Sequence, residues 1–293
     1  MQKIIPHLWY DKEATQAAQF YVSIFPDSKI THTSTLHDTP SGSVEMVSFE
    51  LLNYEFQAIS AGPYFTFNPS VSFMVECETI QEVDAYWDKL SPGGMALMEL
   101  GAYPFSERFG WLQDQYGLSW QIIYSGSPGA KRRITPMILF VGSVAGKAEE
   151  AIRFWISIFP DGKVGALTRY GKDEQPDQEG TLKYGAFSLF GQEFRAMDSA
   201  HVHAYSFNEP ISFIVNCETQ AELDDYWYKL SAVPEAEQCG WLKDKFGLSW
   251  QIVPVGMEAI LQGDDQEKID RVTQAFLQMK KIDLAALQAV YEG

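Results

Sequence analysis

Cysteine is scarce in this chain: three among 293 residues, Cys77, Cys217 and Cys239, with no CxxC spacing. So small and odd a set argues against a disulfide framework and for a reducing compartment. Basic charge is also short, with 22 Lys and Arg against 39 Asp and Glu, a formal net charge of −17. Phosphate backbones and anionic membranes are held by clustered Lys and Arg, so neither nucleic acid nor a membrane is an expected partner. The one basic run, Lys131-Arg132-Arg133, falls in a Gly-, Ser- and Pro-containing stretch and reads as a solvated linker. No apolar run approaches the roughly 20 residues of a membrane span. No signal-peptide pattern opens the sequence, and the expected location is cytoplasmic.

What the chain does contain is repetition. Gly110-Trp-Leu-Gln-Asp-Gln-Tyr-Gly-Leu-Ser-Trp-Gln-Ile122 returns as Gly240-Trp-Leu-Lys-Asp-Lys-Phe-Gly-Leu-Ser-Trp-Gln-Ile252. Ser-Ile-Phe-Pro-Asp closes a helical pattern at both Asp27 and Asp161. Val71-Ser-Phe-Met-Val-Glu-Cys-Glu-Thr79 returns at 211–219 as Ile-Ser-Phe-Ile-Val-Asn-Cys-Glu-Thr. A period of about 130 residues is too long for a solenoid and means two copies of a domain. The expected boundaries are 1–125 for the first copy, 134–255 for the second and 256–293 for an unrepeated extension. The linker falls over Ser125–Arg133.

Within a copy, the apolar periodicity alternates between 2 and 3.6. Ile4–Tyr10 is strand-like, Ala14–Phe25 helical, and Lys29–Leu36, Ser43–Leu52 and Glu55–Ala61 are three further strands. A second unit starts at Val71, and Thr79 with Glu82 forms a capping box for a helix to about Leu90. Asp114 and Gly117 bracket a tight turn between two short antiparallel strands. Alternation sets Trp120 and Ile122 on one face of the last strand and Ser119, Gln121 and Ile123 on the other. After Val255, Ile269, Val272, Phe276 and Met279, then Leu284, Leu287 and Val290, mark an amphipathic helical pair expected to dock on the body of the protein.

The paired hairpins, the Ser-Ile-Phe-Pro-Asp helix end, the Ser-Phe-x-Val-x-Cys-Glu-Thr strand and the terminal Gln278-Met-Lys-Lys-Ile-Asp283 resemble the PhnB-like family, also labelled 3-demethylubiquinone-9 3-methyltransferase. The family is part of the glyoxalase/bleomycin-resistance/dioxygenase superfamily, the vicinal-oxygen-chelate fold. The resemblance implies an α+β fold of tandem βαβββ modules, each copy pairing two modules into a cup, with C-terminal helices added. It implies too that the two copies act as an intramolecular dimer, with further self-association open, and that a small aromatic or oxygen-rich molecule is the partner. Neither copy has the Gly-rich strand-to-helix turn followed by an acidic residue of a nucleotide-type cofactor site. Methyl transfer therefore rests on the family label alone.

Metal-dependent members of that superfamily carry His and Glu on strands facing into the cup. Matched residue by residue, those places hold His7, Ser70 and Gln121 in the first copy, and Met137, Pro210 and Gln251 in the second. One imidazole beside two neutral oxygens, without a carboxylate, makes a poor divalent site, and the second set makes none. The expectation is a cup without a resident cofactor, lined in the first copy by His7, Trp9, Gln57, Trp111 and Gln121 and in the second by Arg195, Trp241 and Gln251, which would stack a planar ligand and fix it by hydrogen bonds. Trp120 and Trp250, opposite their glutamines, read as core. The alternative is a metal-dependent glyoxalase- or dioxygenase-type enzyme using His7 and Gln121, the second copy serving as a structural half. His201-Val-His203 with Asp198 reads as a polar loop, though its alternation also suits a strand face, and Cys239 as a small buried residue.

Overall fold

The computed structural model describes residues 2–126, 132–261, 263 and 265–293, without the side chain of Glu258. Most of the expected linker, Lys131 of the basic run included, lies outside the described residues. The first copy runs β1 (Ile4–Tyr10), α1 (Ala14–Ile24), β2 (Lys29–Thr39), β3 (Gly42–Leu51), β4 (Tyr54–Ser60), then β5 (Val71–Cys77), α2 (Ile80–Leu90), β6 (Met95–Tyr103), β7 (Ser106–Gln113) and β8 (Ser119–Tyr124). The second runs β9 (Arg133–Phe140), α3 (Ala148–Ile158), β10 (Lys163–Arg169), β11 (Leu182–Leu189), β12 (Gln192–Asp198), then β13 (Ile211–Cys217), α4 (Gln220–Leu230), β14 (Trp241–Lys243) and β15 (Ser249–Pro254). The extension forms α5 (Met257–Leu261), α6 (Gln266–Leu277) and α7 (Leu284–Glu292). The α+β class and the βαβββ modules are as the periodicity suggests, and α5 is an addition to the expected helical pair.

The strands combine differently from the expectation that each copy builds its own cup. One sheet has the order β14-β15-β13-β1-β4-β3-β2, the other β10-β11-β12-β9-β5-β8-β7-β6. Each joins the first module of one copy to the second module of the other. β1 pairs antiparallel with β13, and β5 with β9. Within each module the outer strands run parallel, β1 with β4 and β5 with β8. The chain accordingly divides into two compact units, one of the segment up to Ser23, Asp27–Thr66 and Asn208 onward, the other of Ile24–Pro26 and Phe67–Phe207. The reason lies in the backbone: a first strand and a fifth strand each expose an unpaired edge, and the matching edge is supplied by the other copy.

In the first unit, Tyr21 of α1 stacks on Phe49, which stacks on Phe56 at 5.3 Å between centroids, so one sheet face is closed by a helix. The opposite face carries Ile5, His7 and Trp9 of β1. Thr79 and Thr219 cap α2 and α4, each accepting from the amide three residues on, Glu82 N at 3.2 Å and Glu222 N at 3.1 Å. The second hairpin is shorter upstream than the first: residues 230–240 span what 90–110 span in the first copy, and no counterpart of β6 forms among the described residues. The extension fills that edge. Cys239 N donates to Met279 O and Gly240 N to Lys280 O, both at 2.8 Å. α6 lies against β2, with Gln274 Nε2 donating to Asp38 O at 2.9 Å and Gln266 Nε2 to Thr35 O at 3.4 Å.

Candidate functional site

The repeated hairpin is held by its aspartate. Asp114 Oδ1 accepts from Tyr116 N and Leu118 N, and Oδ2 accepts from Trp120 Nε1 at 2.9 Å. Asp244 repeats all three bonds, with Trp250 Nε1 at 3.0 Å. Trp120 and Trp250 are fully buried, the core role expected of them. With the indoles fixed inward, alternation turns Gln121 and Gln251 to the other face. There Gln121 Nε2 donates to Ser72 Oγ at 3.0 Å, and Gln251 Nε2 to Ser212 Oγ at 2.9 Å.

The eight expected site residues fall into two groups. His7, Trp9, Gln57, Trp241 and Gln251 stand in the first unit, and Trp111, Gln121 and Arg195 in the second. The matching of His7 with Ser70 and Gln121 is therefore corrected. His7 sits opposite Gln57 on β4 and Ser212 on β13, with Gln251 bonded to that serine. The serine facing the glutamine is Ser72 or Ser212. Ser70 instead closes the chain entering β5, its carbonyl accepting from Leu139 N at 2.8 Å.

His7 is buried, and its Nδ1 has no hydrogen-bond partner. Its ring meets Trp241 edge-on at 5.5 Å, and Trp241 meets Trp9 at 6.1 Å. Burial lowers the imidazole pKa to about 3, so the ring is neutral through the physiological range. A neutral imidazole can ligate a metal, but Gln57, Ser212 and Gln251 bring only uncharged oxygens. Desolvating a divalent ion against such a set leaves its charge unbalanced, and the donor chemistry does not fit a resident divalent cation. Among the described residues no three His, Cys, Asp or Glu side chains cluster in a metal-holding group.

Beside Trp9 and Trp241 the first unit holds a cavity of about 410 Å³. Its walls include Trp9, Tyr64, Phe65, Trp241, Phe276 and Leu277, with Glu209, Glu235 and Cys239 also in the lining and, among the described residues, no Lys, Arg or His there. Trp9 Nε1 donates to Gly62 O at 2.9 Å, and Phe65 meets the Trp9 ring edge-on at 5.1 Å, so the indole is fixed in place. A second, more polar cavity of about 380 Å³ takes in Ile5, Ser48 and Gln57 on the same sheet face, with His32, Glu50 and Glu55. His7 lies on β1 between the two. Tyr64, Phe65, Phe276, Leu277 and Ser212 were not legible as site residues. The first pair sits in a loop after β4, and the second belongs to a helix whose apolar stripe reads only as a docking face.

The second unit uses the same scaffold with other side chains. Met137 takes the place of His7 and faces Arg195 and Ser72. Arg195 is buried, its Nη2 lying 2.7 Å from Glu193 Oε2 and 3.6 Å from Glu76 Oε1. Arg133 closes the cluster, 2.8 Å from Glu76 and 3.1 Å from Glu193. Trp111 turns away to donate its Nε1 to Ser119 Oγ at 2.8 Å, a bond that Trp241 does not repeat, since Ser249 Oγ is directed at Asn208 O instead. Two arginines and two glutamates thus pair across this sheet face through the Nη nitrogens, while the buried Nε of Arg195 has no hydrogen-bond partner.

The remaining candidates resolve simply. Asp198 caps α3, accepting from Gly146 N and Ala148 N, and Leu182 N bonds its other oxygen. Burial raises its pKa, against the lowering by those amides. His201 is exposed and 3.7 Å from Asp177, and His203 bonds Ser199 Oγ at 3.1 Å, in a loop rather than on a strand face. Cys239 is half-buried, its Sγ 3.7 Å from Leu277 O, and burial pushes its thiol up to about 11.

Comparison with known proteins fits this architecture. A search of curated proteins returns no match. A PhnB protein from Bacillus cereus is 39% identical over 42% of this chain and 100% of its own, with a TM-score of 0.40. A single-substitution variant of glyoxalase I from Zea mays is 12% identical, covers 86% of this chain and 94% of its own, and reaches a TM-score of 0.51, a likeness of fold. The 3-demethylubiquinone-9 3-methyltransferase profile matches residues 2–123 and again 132–253, nearly all of both copies, and the chain belongs to that family.

Proposed function

We propose that the protein binds one small, uncharged aromatic molecule per chain, in the first unit, without a metal. The observation that carries this reading is the aromatic-walled cavity of about 410 Å³ beside Trp9 and Trp241, with a neutral, buried imidazole behind the wall. Planar indole and phenyl faces favour a planar apolar ligand through area burial and edge or face contacts. An anion is disfavoured, because the charged side chains among the described lining residues are Glu209 and Glu235. The second unit supports no equal site, since buried Arg195 and its carboxylate partners hold the corresponding floor. Methyl transfer is not favoured: a carboxylate, Asp198, already sits at the start of α3, accepting from Gly146 N and Ala148 N, and would repel an anionic cofactor group there.

Tryptophan fluorescence tests this, titrated with 1-naphthol in the presence of a strong chelator. The reading expects quenching at one equivalent per chain, unchanged by chelator and weakened at least tenfold in Trp241→Ala. Two equivalents per chain would return a site to the second unit. Binding or turnover that needs an added divalent ion would replace the binder with a metalloenzyme.

A further inference from the structure

We propose that the C-terminal extension is part of the ligand site, and that Phe276 of α6 sets the size of what the first unit admits. The inference rests on the reading of that cavity as the ligand site, and adds what limits it. The second copy lacks a counterpart of β6, so the edge beside β14 would stand open. Residues 276–280 close it: Met279 and Lys280 carbonyls take the Cys239 and Gly240 amides at 2.8 Å, and Leu277 O lies 3.7 Å from Cys239 Sγ. The same turn places Phe276 and Leu277 in the cavity wall. Gln274 and Gln266 tie the other side of α6 to β2 through Asp38 O and Thr35 O. The wall therefore spans from β2 to the hairpin edge. The larger of its two side chains in the cavity wall is Phe276, only partly buried, so trimming it widens the cavity without opening the core.

Cys239 provides a readout that needs no ligand. It lines the cavity, whereas Cys77 and Cys217 are buried. At pH 9, with rates scaled to those of free cysteine, iodoacetamide should modify Cys239 at least tenfold faster than pyrene maleimide. Phe276→Ala should lose most of that discrimination, Phe276→Trp should sharpen it, and Cys239→Ser should take no label. Equal discrimination in native protein, Phe276→Ala and Phe276→Trp would overturn the proposal. In parallel, Phe276→Ala should shift affinity at least fivefold from 1-naphthol toward 1-hydroxypyrene, and an unshifted ratio would overturn it. If native protein binds neither probe, the ligand reading fails by itself, and the labelling series still decides whether Phe276 is the limiting wall.

Discussion

His7 is an imidazole kept neutral at an energetic cost. It is buried, Nδ1 is unpartnered, and desolvation lowers its pKa from 6.5 to about 3. Between those values the unfolded chain holds a proton that the folded chain does not, so stability rises with pH across that window and falls on acidification. His7→Met, which copies Met137 of the other unit, should remove this dependence. Urea unfolding at pH 6 and pH 5 should show the native protein losing about 1 kcal/mol more than the variant over that step. Equal losses would mean that the ring is protonated or solvated in the folded state. Asp114 and Asp244 matter in the opposite sense, as buried acceptors of three bonds each. Asp244→Ala leaves an indole N–H and two amides without their acceptor, and denaturation should record a loss of about 3 kcal/mol or more. Asp114 was legible as a turn residue, but its hold on Trp120 was not, since a bond from i to i+6 depends on the hairpin having already closed.

Elements were read with good accuracy wherever local chemistry decides them. The Thr79 cap, the stop after Ile24 before Pro26 and the Asp114–Gly117 turn each depend on neighbours within four residues. Thr79→Ala and Thr219→Ala should each cost about 1 kcal/mol in thermal or chemical unfolding, as lost N-caps do. Gly110 is a tighter constraint. A Cβ there would lie 2.4 Å from the Trp87 ring of α2, so Gly110→Ala forces the ring aside and should cost about 1–3 kcal/mol. The polar loop expected at His201 and His203 is what forms, since alternation alone does not make a strand where no neighbouring edge is available to pair.

At the scale of the molecule, each sheet needs both copies. A fragment ending near residue 126 keeps β1 without β13 and β5 without β9, two strands with buried, apolar sequences and one open edge each. Such edges seek partners. Fragments 1–126 and 132–293 should therefore co-purify when expressed together, and 1–126 alone should dimerise or aggregate in sedimentation. A stable, monomeric 1–126 would show that one copy can close on itself. No helix among the described residues is long and apolar enough to cross a membrane.

Taken alone, the amino-acid sequence determined the duplication, the βαβββ modules, the hairpin, the inward tryptophans and the outward glutamines. These follow from repeats and from periods of 2 and 3.6, which act over a few residues. Only the tertiary structure decided that His7 stands opposite Ser212, the serine that Gln251 bonds, that Arg195 meets Glu76, and that Phe276 walls a cavity with Trp9. Strand edges carry nearly the same hydrogen-bonding groups whatever their side chains, so which copy pairs with which is settled by the closure of whole sheets, and no local pattern records it.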